Sequence, residues 1–294
     1  MTDSLALFLQ VTVNGIAIGS IYALVALGIV LIYKATEVLN FAHGDLLVLS
    51  AFSAWALIAF AGLPFWLVLP LVAAGVAALA YGMDALIVRR IAGQPAFAGV
   101  MLTIALAFML RGLVSMGFGT EAQTYPTPWS GQSLRLGGAA VSELSVVILA
   151  VVLVVTVGLW LFFTRTRLGV AMQAASQNQL AAYLNGVKVK RLNSLVWALA
   201  GATAAIAGVF MAPVSLVDTS LWLVTLKALA AIVLGGFGSL PGAFVGGLLI
   251  GLIEQYAGVY LPHGFKDIAA YLVLIAVLIL RPRGLFGEAH GRRV

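Results

Sequence analysis

The feature that most constrains this chain is a succession of long apolar runs with few interruptions. They lie at about Leu7–Tyr33, Leu46–Ala61, Phe65–Val88, Phe97–Phe118 and Leu144–Phe163, then Leu192–Met211, Leu221–Leu234, Ala243–Tyr260 and Ile268–Leu280. A hydrocarbon layer of about 30 Å needs roughly 20 such residues per helix. Lipid offers no hydrogen bonds, so only helices and closed barrels cross it. A barrel would show short alternating segments, whereas these runs are continuous. Only 9% of the residues are charged and 63% are hydrophobic, too little charge to cover a soluble surface, which carries about 25%. The expectation is an all-α polytopic membrane helix bundle of eight to nine transmembrane helices. Two runs are short or polar-broken, which implies broken or re-entrant segments. Residues 1–294 read as a single transmembrane domain.

The formal charge of +6 does not point to nucleic acid, because no basic face carries stacking aromatics. The cations mark gaps between runs instead. Arg89 and Arg90 mark one, Arg165, Arg167, Lys188, Lys190 and Arg191 another, and Arg281, Arg283, Arg292 and Arg293 the tail. Positive loops face the cytoplasm, so nine spans place the N-terminus outside and the C-terminus inside. Gly119–Ser142, with Pro126, Pro128 and Trp129, then reads as an external irregular loop. Asp3 and the absence of Lys or Arg before the first run argue against a cleavable leader. Cysteine is absent, which excludes disulfides and thiolate chemistry.

No catalytic or metal-binding set is legible. His43, His263 and His290 lie far apart and form no HExxH, and no G-x-S-x-G elbow is present. Gly235-Gly236-Phe237-Gly238-Ser239-Leu240-Pro241-Gly242 lacks the Gly-Lys-Ser/Thr of a phosphate loop, so any ATP must be hydrolysed on another chain. The stretch reads either as a tight surface turn or as a junction of half-helices with free backbone groups facing a cavity. Gly236, Gly238 and Ser239 are therefore candidates for a solute path. A second break, Asn40 to Asp45, adds Asn40, His43 and Asp45, with Asp45 placed to cap the following helix. Lys227 and Glu254 are ionisable residues inside spans, and they either pair or leave Lys227 to snorkel. Arg111 reads as snorkelling. Small-residue pairs at Gly15/Gly19, Gly242/Gly246 and Gly247/Gly251 allow close helix approach, within the chain or at a subunit interface.

The loop at 164–191 differs in kind. Ser176-Gln177-Asn178-Gln179 matches a capping box, and Gly186 suits a left-handed helix stop. Leu180, Tyr183 and Leu184 share one face between them. That face must rest on lipid headgroups or in a groove on a cytosolic partner.

Three motifs carry a resemblance. Asn40-Phe41-Ala42-His43-Gly44-Asp45, Leu226-Lys227-Ala228 leading into the glycine stretch, and Arg281-Pro282-Arg283-Gly284-Leu285-Phe286-Gly287 resemble, in order, LivH-type permeases of the branched-chain amino acid ABC importer family. The resemblance implies a permease subunit in the bacterial cytoplasmic (inner) membrane. It implies a second, LivM-type permease, two cytosolic ATPases that hold the ATP and Mg, a periplasmic substrate-binding protein, and no cofactor in this chain. Ala181-Ala182 followed by Gly186 resembles the importer coupling loop, so Leu180, Ala181, Ala182, Tyr183, Leu184 and Gly186 are the ATPase-coupling candidates, although Leu180 stands where an acidic residue is usual. Alternating access is the implied mechanism. Urea or short amides remain alternative solutes, and an ion-coupled secondary transporter is the rival reading.

Overall fold

The computed structural model describes residues 2–91, 93–136 and 139–287; Arg292, Arg293 and His290 lie outside the described residues. Eleven helices are described: α1 (Thr2–Thr36), α2 (His43–Ala59), α3 (Phe65–Leu86), α4 (Ala96–Phe118), α5 (Glu143–Arg165), α6 (Arg167–Gln177), α7 (Gln179–Leu184), α8 (Val189–Met211), α9 (Val224–Gly235), α10 (Leu240–Tyr260) and α11 (Phe265–Leu280). Each of the nine apolar runs became a helix. Six helical stretches are long and apolar enough to cross a membrane, and His43–Ala59 and Thr219–Gly235 are shorter apolar ones. The bundle is helical and polytopic, as expected. One departure lies in the segment read as an irregular loop, which contains a hairpin of β1 (Ser133–Leu136) and β2 (Ala139–Ser142). Alternation along Ala139–Ser142 buries Ala139 and Val141, a period-two pattern too short to stand out from the surrounding polar residues.

The chain divides into two compact units. The first holds α1 through Val30, the hairpin, the start of α5, and α9 to α11. Its core is a glycine contact. A Cβ at Gly19 of α1 would lie 2.8 Å from the Gly247 carbonyl oxygen and from Leu248 Cα on α10, and one at Gly15 would lie 3.1 Å from Leu252 Cα. On another face of α10, Gly242 and Gly246 meet Gly235 and Ala231 of α9. The spaced glycines therefore pack helix to helix inside this chain. In lipid, where apolar burial gives no drive between helices, such close approach supplies the packing attraction.

The tail closes the same unit. Leu285 N–H donates to the Leu234 carbonyl at 2.8 Å and Phe286 N–H to that of Gly235 at 2.9 Å. The last carbonyls of α9 have no partner within their own helix, and the tail supplies one to each of these two. Gly236 and Gly284, both at positive φ, leave room for this crossing: a Cβ on Gly236 would meet the backbone of Gly287 at 2.5 Å.

In the second unit α2 is surrounded by α3, α4 and α8. Its first six residues, His43 to Val48, are all buried. Gly208 of α8 admits Leu47 and Ser50 of α2, and Gly201 admits Val76 and Ala80 of α3. Outside the spans, the Tyr125 hydroxyl donates to the Val209 carbonyl at 2.6 Å, and burial pushes its phenol pKa up.

Gly19→Ala should lower thermal stability by about 1–3 kcal/mol, the usual range for overpacking. Gly112→Ala, on α4 with nothing within 4 Å of its added Cβ, should be neutral or slightly stabilising. Detergent melts of the two variants check this; equal melting would remove the α1–α10 contact as a determinant of stability.

Candidate functional site

α1 ends at Thr36, and the backbone runs irregularly to His43. Glu37 takes positive φ, the one non-glycine described that does. The segment is then laid against α4. Val38 contacts the space at Gly99, where a Cβ would approach it to 2.8 Å. Phe41 N–H donates to Thr103 Oγ1 at 3.3 Å, and Thr103 Oγ1 is 3.2 Å from the Leu39 carbonyl. Asn40 Oδ1 accepts the Ala42 N–H at 3.0 Å and so serves the start of α2. Asn40 Nδ2 and both ring nitrogens of His43 are buried with no hydrogen-bond partner among the described residues.

Asp45 does not cap α2, since no side-chain capping bond forms there. Its two oxygens accept instead from Arg111 of α4, Nε to Oδ1 at 2.8 Å and Nη2 to Oδ2 at 3.1 Å. Arg111 is therefore not snorkelling. Its guanidinium lies 4.6 Å from the Trp222 ring centroid and 5.6 Å from that of Phe108. The paired geometry wins because a carboxylate 2% exposed has no water to solvate it, and a planar fork answers both its oxygens at once. The carboxylate still lies in the first turn of α2, where negative charge suits the helix dipole.

In the other unit, Lys227 of α9 and Glu254 of α10 meet, Nζ to Oε1 at 2.8 Å. Tyr22 of α1 donates to Oε2 of the same carboxylate at 2.7 Å, so both oxygens are satisfied. The glycine turn is tight. Gly236 and Gly238 take positive φ, and Ser239 caps α10 by accepting the Gly242 N–H at 3.1 Å. Gly236 is buried against the tail, while Gly238 has open space around its Cα.

A third network was not foreseen. Arg89 Nη2 donates to Ser194 Oγ at 2.5 Å, and Ser194 donates to Asp84 Oδ2 at 2.5 Å, tying the end of α3 to the start of α8. Asp84 lies late in an apolar run, an acid that a sequence scan for ionisable residues within spans could have found.

In the 164–191 loop, the capping box is displaced. Ser176 lies in the last turn of α6, its hydroxyl donating back to Gln173, and Asn178 caps α7 by accepting the Ala181 N–H at 2.9 Å. Asn is among the strongest capping residues, and the chain takes the shorter helix it permits. Gly186 stops α7 at φ 82°, with Val187 N–H reaching the Ala182 carbonyl at 3.1 Å. Ala182 is buried and Ala181 exposed. Leu180, Tyr183 and Leu184 are 68%, 68% and 76% exposed, three large apolar side chains on one short helix left largely uncovered by the described residues. Gln179 secures the helix by donating to the Ala35 carbonyl at 2.9 Å.

Removing one member of the Lys227–Glu254 pair strands a buried charge, which costs roughly 3–5 kcal/mol. Lys227→Met should therefore lower expression and melting temperature, and Lys227→Met with Glu254→Gln should recover part of both. Purely additive losses would show that the two do not depend on each other.

Among known proteins, the family described as the branched-chain amino acid transport system / permease component matches residues 11–280. The chain is 31% identical to the high-affinity branched-chain amino acid transport system permease protein BraD of Pseudomonas aeruginosa, over 98% of each chain. It is 30% identical to the LivH permease protein of the same kind of system in Escherichia coli, over 100% of each. In fold it is similar to a chain in the solved structure of PsaBC from Streptococcus pneumoniae in complex with Fab. That likeness has a TM-score of 0.50 at 16% identity and covers 92% of this chain and 91% of the other.

Proposed function

The chain belongs to the permease components of branched-chain amino acid transport systems, and from that premise we propose that it works as one membrane-spanning half of an ATP-driven importer. Its solute is a branched-chain or related small amino acid, the class named for its relatives. It sits in the bacterial inner membrane with the N-terminus outside and the C-terminus and the 164–191 loop in the cytoplasm, which suits the clustering of cations in that loop. A second permease of the LivM type completes the membrane part. Two cytosolic ATPases hold ATP and Mg, and a periplasmic binding protein delivers solute. Transport runs by alternating access.

The observation that carries this reading is the exposed face of α7. Each large side chain, fully buried, contributes about 1.5–3 kcal/mol, so Leu180, Tyr183 and Leu184 form an anchor of useful size for a groove on an ATPase. Asn178 and Gly186 set the two ends of this helix, and Gln179 ties it to the end of α1. A push on α7 is thereby passed to a long helix rather than absorbed by slack chain. Leu184→Asp should leave the chain folded and inserted, yet release the ATPases or leave them hydrolysing without uptake. Gly186→Val should do similar damage, because a β-branched residue resists positive φ. Co-purification, ATP hydrolysis and uptake are measured on the reconstituted complex. Normal uptake by Leu184→Asp would defeat the role given to α7, and gradient-driven uptake by the lone chain in liposomes would defeat the importer reading.

Within each unit, the helix break is the candidate lining of the solute path: Asn40, His43 and Asp45 in one, Gly236, Gly238 and Ser239 with Lys227 and Glu254 in the other. The support is physical. Irregular backbone at membrane depth is tolerated where it lines a cavity or is buried in protein, and Asn40 and His43 hold polar atoms that no described residue answers. The native chain has no cysteine, so Asn40→Cys and Ser239→Cys report cleanly. Both should react with a soluble thiol reagent in the assembled complex, at rates that change with nucleotide. Positions inert in every state would remove the breaks from the path.

A further inference from the structure

A groove of about 840 Å³ opens in the second unit where the end of α3, the start of α8 and α7, through Leu180 and Tyr183, approach the start of α4. Four cations line it: Arg89 from the turn after α3, and Lys188, Lys190 and Arg191 at the start of α8. Among the described lining residues Asp84 is the one carboxylate, and Ser194 and Arg89 already engage it. Among the described residues, no ion pair answers Lys188, Lys190 or Arg191.

Helix polarity adds to it. α8 has no side-chain cap at Lys188; the Val189 N–H donates to the Val187 carbonyl and the Arg191 N–H to that of Lys188, and the helix start still carries the positive end of the dipole. Three cations crowding that helix start are unfavourable unless an anion joins them. The walls are not uniformly polar: Val88 and Ile91 are among the lining residues, so the groove is amphipathic. Its cations sit at the ends of two helices long and apolar enough to cross a membrane, where lipid headgroups would lie.

We propose that this groove is a binding site for an anionic phospholipid, with the phosphodiester among Lys188, Lys190, Arg191 and the α8 N-terminus, and the acyl chains against the apolar wall. Charge complementarity selects an anion. The apolar wall selects a lipid over a free phosphate, which has nothing to bury there.

The test is native mass spectrometry of the full chain in a delipidating detergent, with phosphatidylglycerol, phosphatidylcholine and inorganic phosphate added in turn. Phosphatidylglycerol should bind at least about tenfold more tightly than phosphatidylcholine. In a Lys188→Gln/Lys190→Gln/Arg191→Gln variant that preference should fall by about tenfold or more, since each basic residue near an anionic lipid surface is worth about a factor of five. Equal binding of the two lipids by the native chain would overturn the proposal. So would inorganic phosphate saturating the site at the concentration at which the lipid does, which would mark a free-anion site. A variant that keeps the lipid preference but loses co-purifying ATPases would mark a protein-docking surface and also overturn it. If the triple variant does not fold, the native chain decides through salt. A preference that persists unchanged from low to high ionic strength is not the electrostatic one proposed.

Discussion

Hydrocarbon gives a carboxylate nothing to bind, so Asp45 and Glu254 must each be answered by a cation brought from another helix. Arg111 reaches Asp45 from α4, and Lys227 reaches Glu254 from α9. Each pair constrains more than two side chains. The Arg111 fork fixes α4 against the first turn of α2, and its other face stacks on Trp222, so the segment before α9 is held as well. The Glu254 carboxylate holds Tyr22 and Lys227 together, and with them α1, α9 and α10. Such pairs are weak evidence of net stability, since desolvation offsets much of the attraction. What they impose is register: a helix sliding by one residue would strand a charge.

The glycines complete what the charges begin. α10 carries two small faces, Gly247 and Gly251 toward α1 and Gly242 and Gly246 toward α9. Close backbone approach on both sides brings Lys227 and Tyr22 within reach of one carboxylate. The tail performs the last step, with two of its N–H groups taking carbonyls that α9 leaves open. The glycine turn and the Arg281–Gly287 tail, two separate motifs along the chain, are thus one structural feature. This is a physical reason for both to be glycine-rich: Gly236 and Gly284 meet at a crossing that a Cβ would block.

The proposed coupling helix follows a different logic. α7 has six residues, too few to be stable alone, and it is held by its cap, its glycine stop and the Gln179 bond rather than by burial of its apolar face. A face left open by the chain that carries it is suited to a partner. Leu180 and Tyr183 also line the proposed lipid groove, so the two proposed sites share these side chains, and Leu184 belongs to the α7 face alone.

Hydropathy is a local property that adds along the chain, and it was enough to determine by itself the helical membrane class, all nine apolar helices and the breaks near Asn40 and Gly236, while glycine's left-handed freedom gave the stop at Gly186. Local chemistry was less decisive where two nearby residues could do one job: Asn178 rather than Ser176 caps α7, because the backbone bends there and only the folded chain shows where. Asp45 read as a cap and Arg111 as a snorkelling residue, since each was judged against its own neighbours 66 positions from the other. Which charge answers which, that α10 has two glycine faces, and that the tail seals α9 were decided only by the tertiary structure. These depend on helix rotation and crossing. A one-dimensional pattern of mostly apolar helices, nearly as hydrophobic on one side as on the other, leaves rotation open, and in lipid the answer comes from whichever small residues and charges can meet.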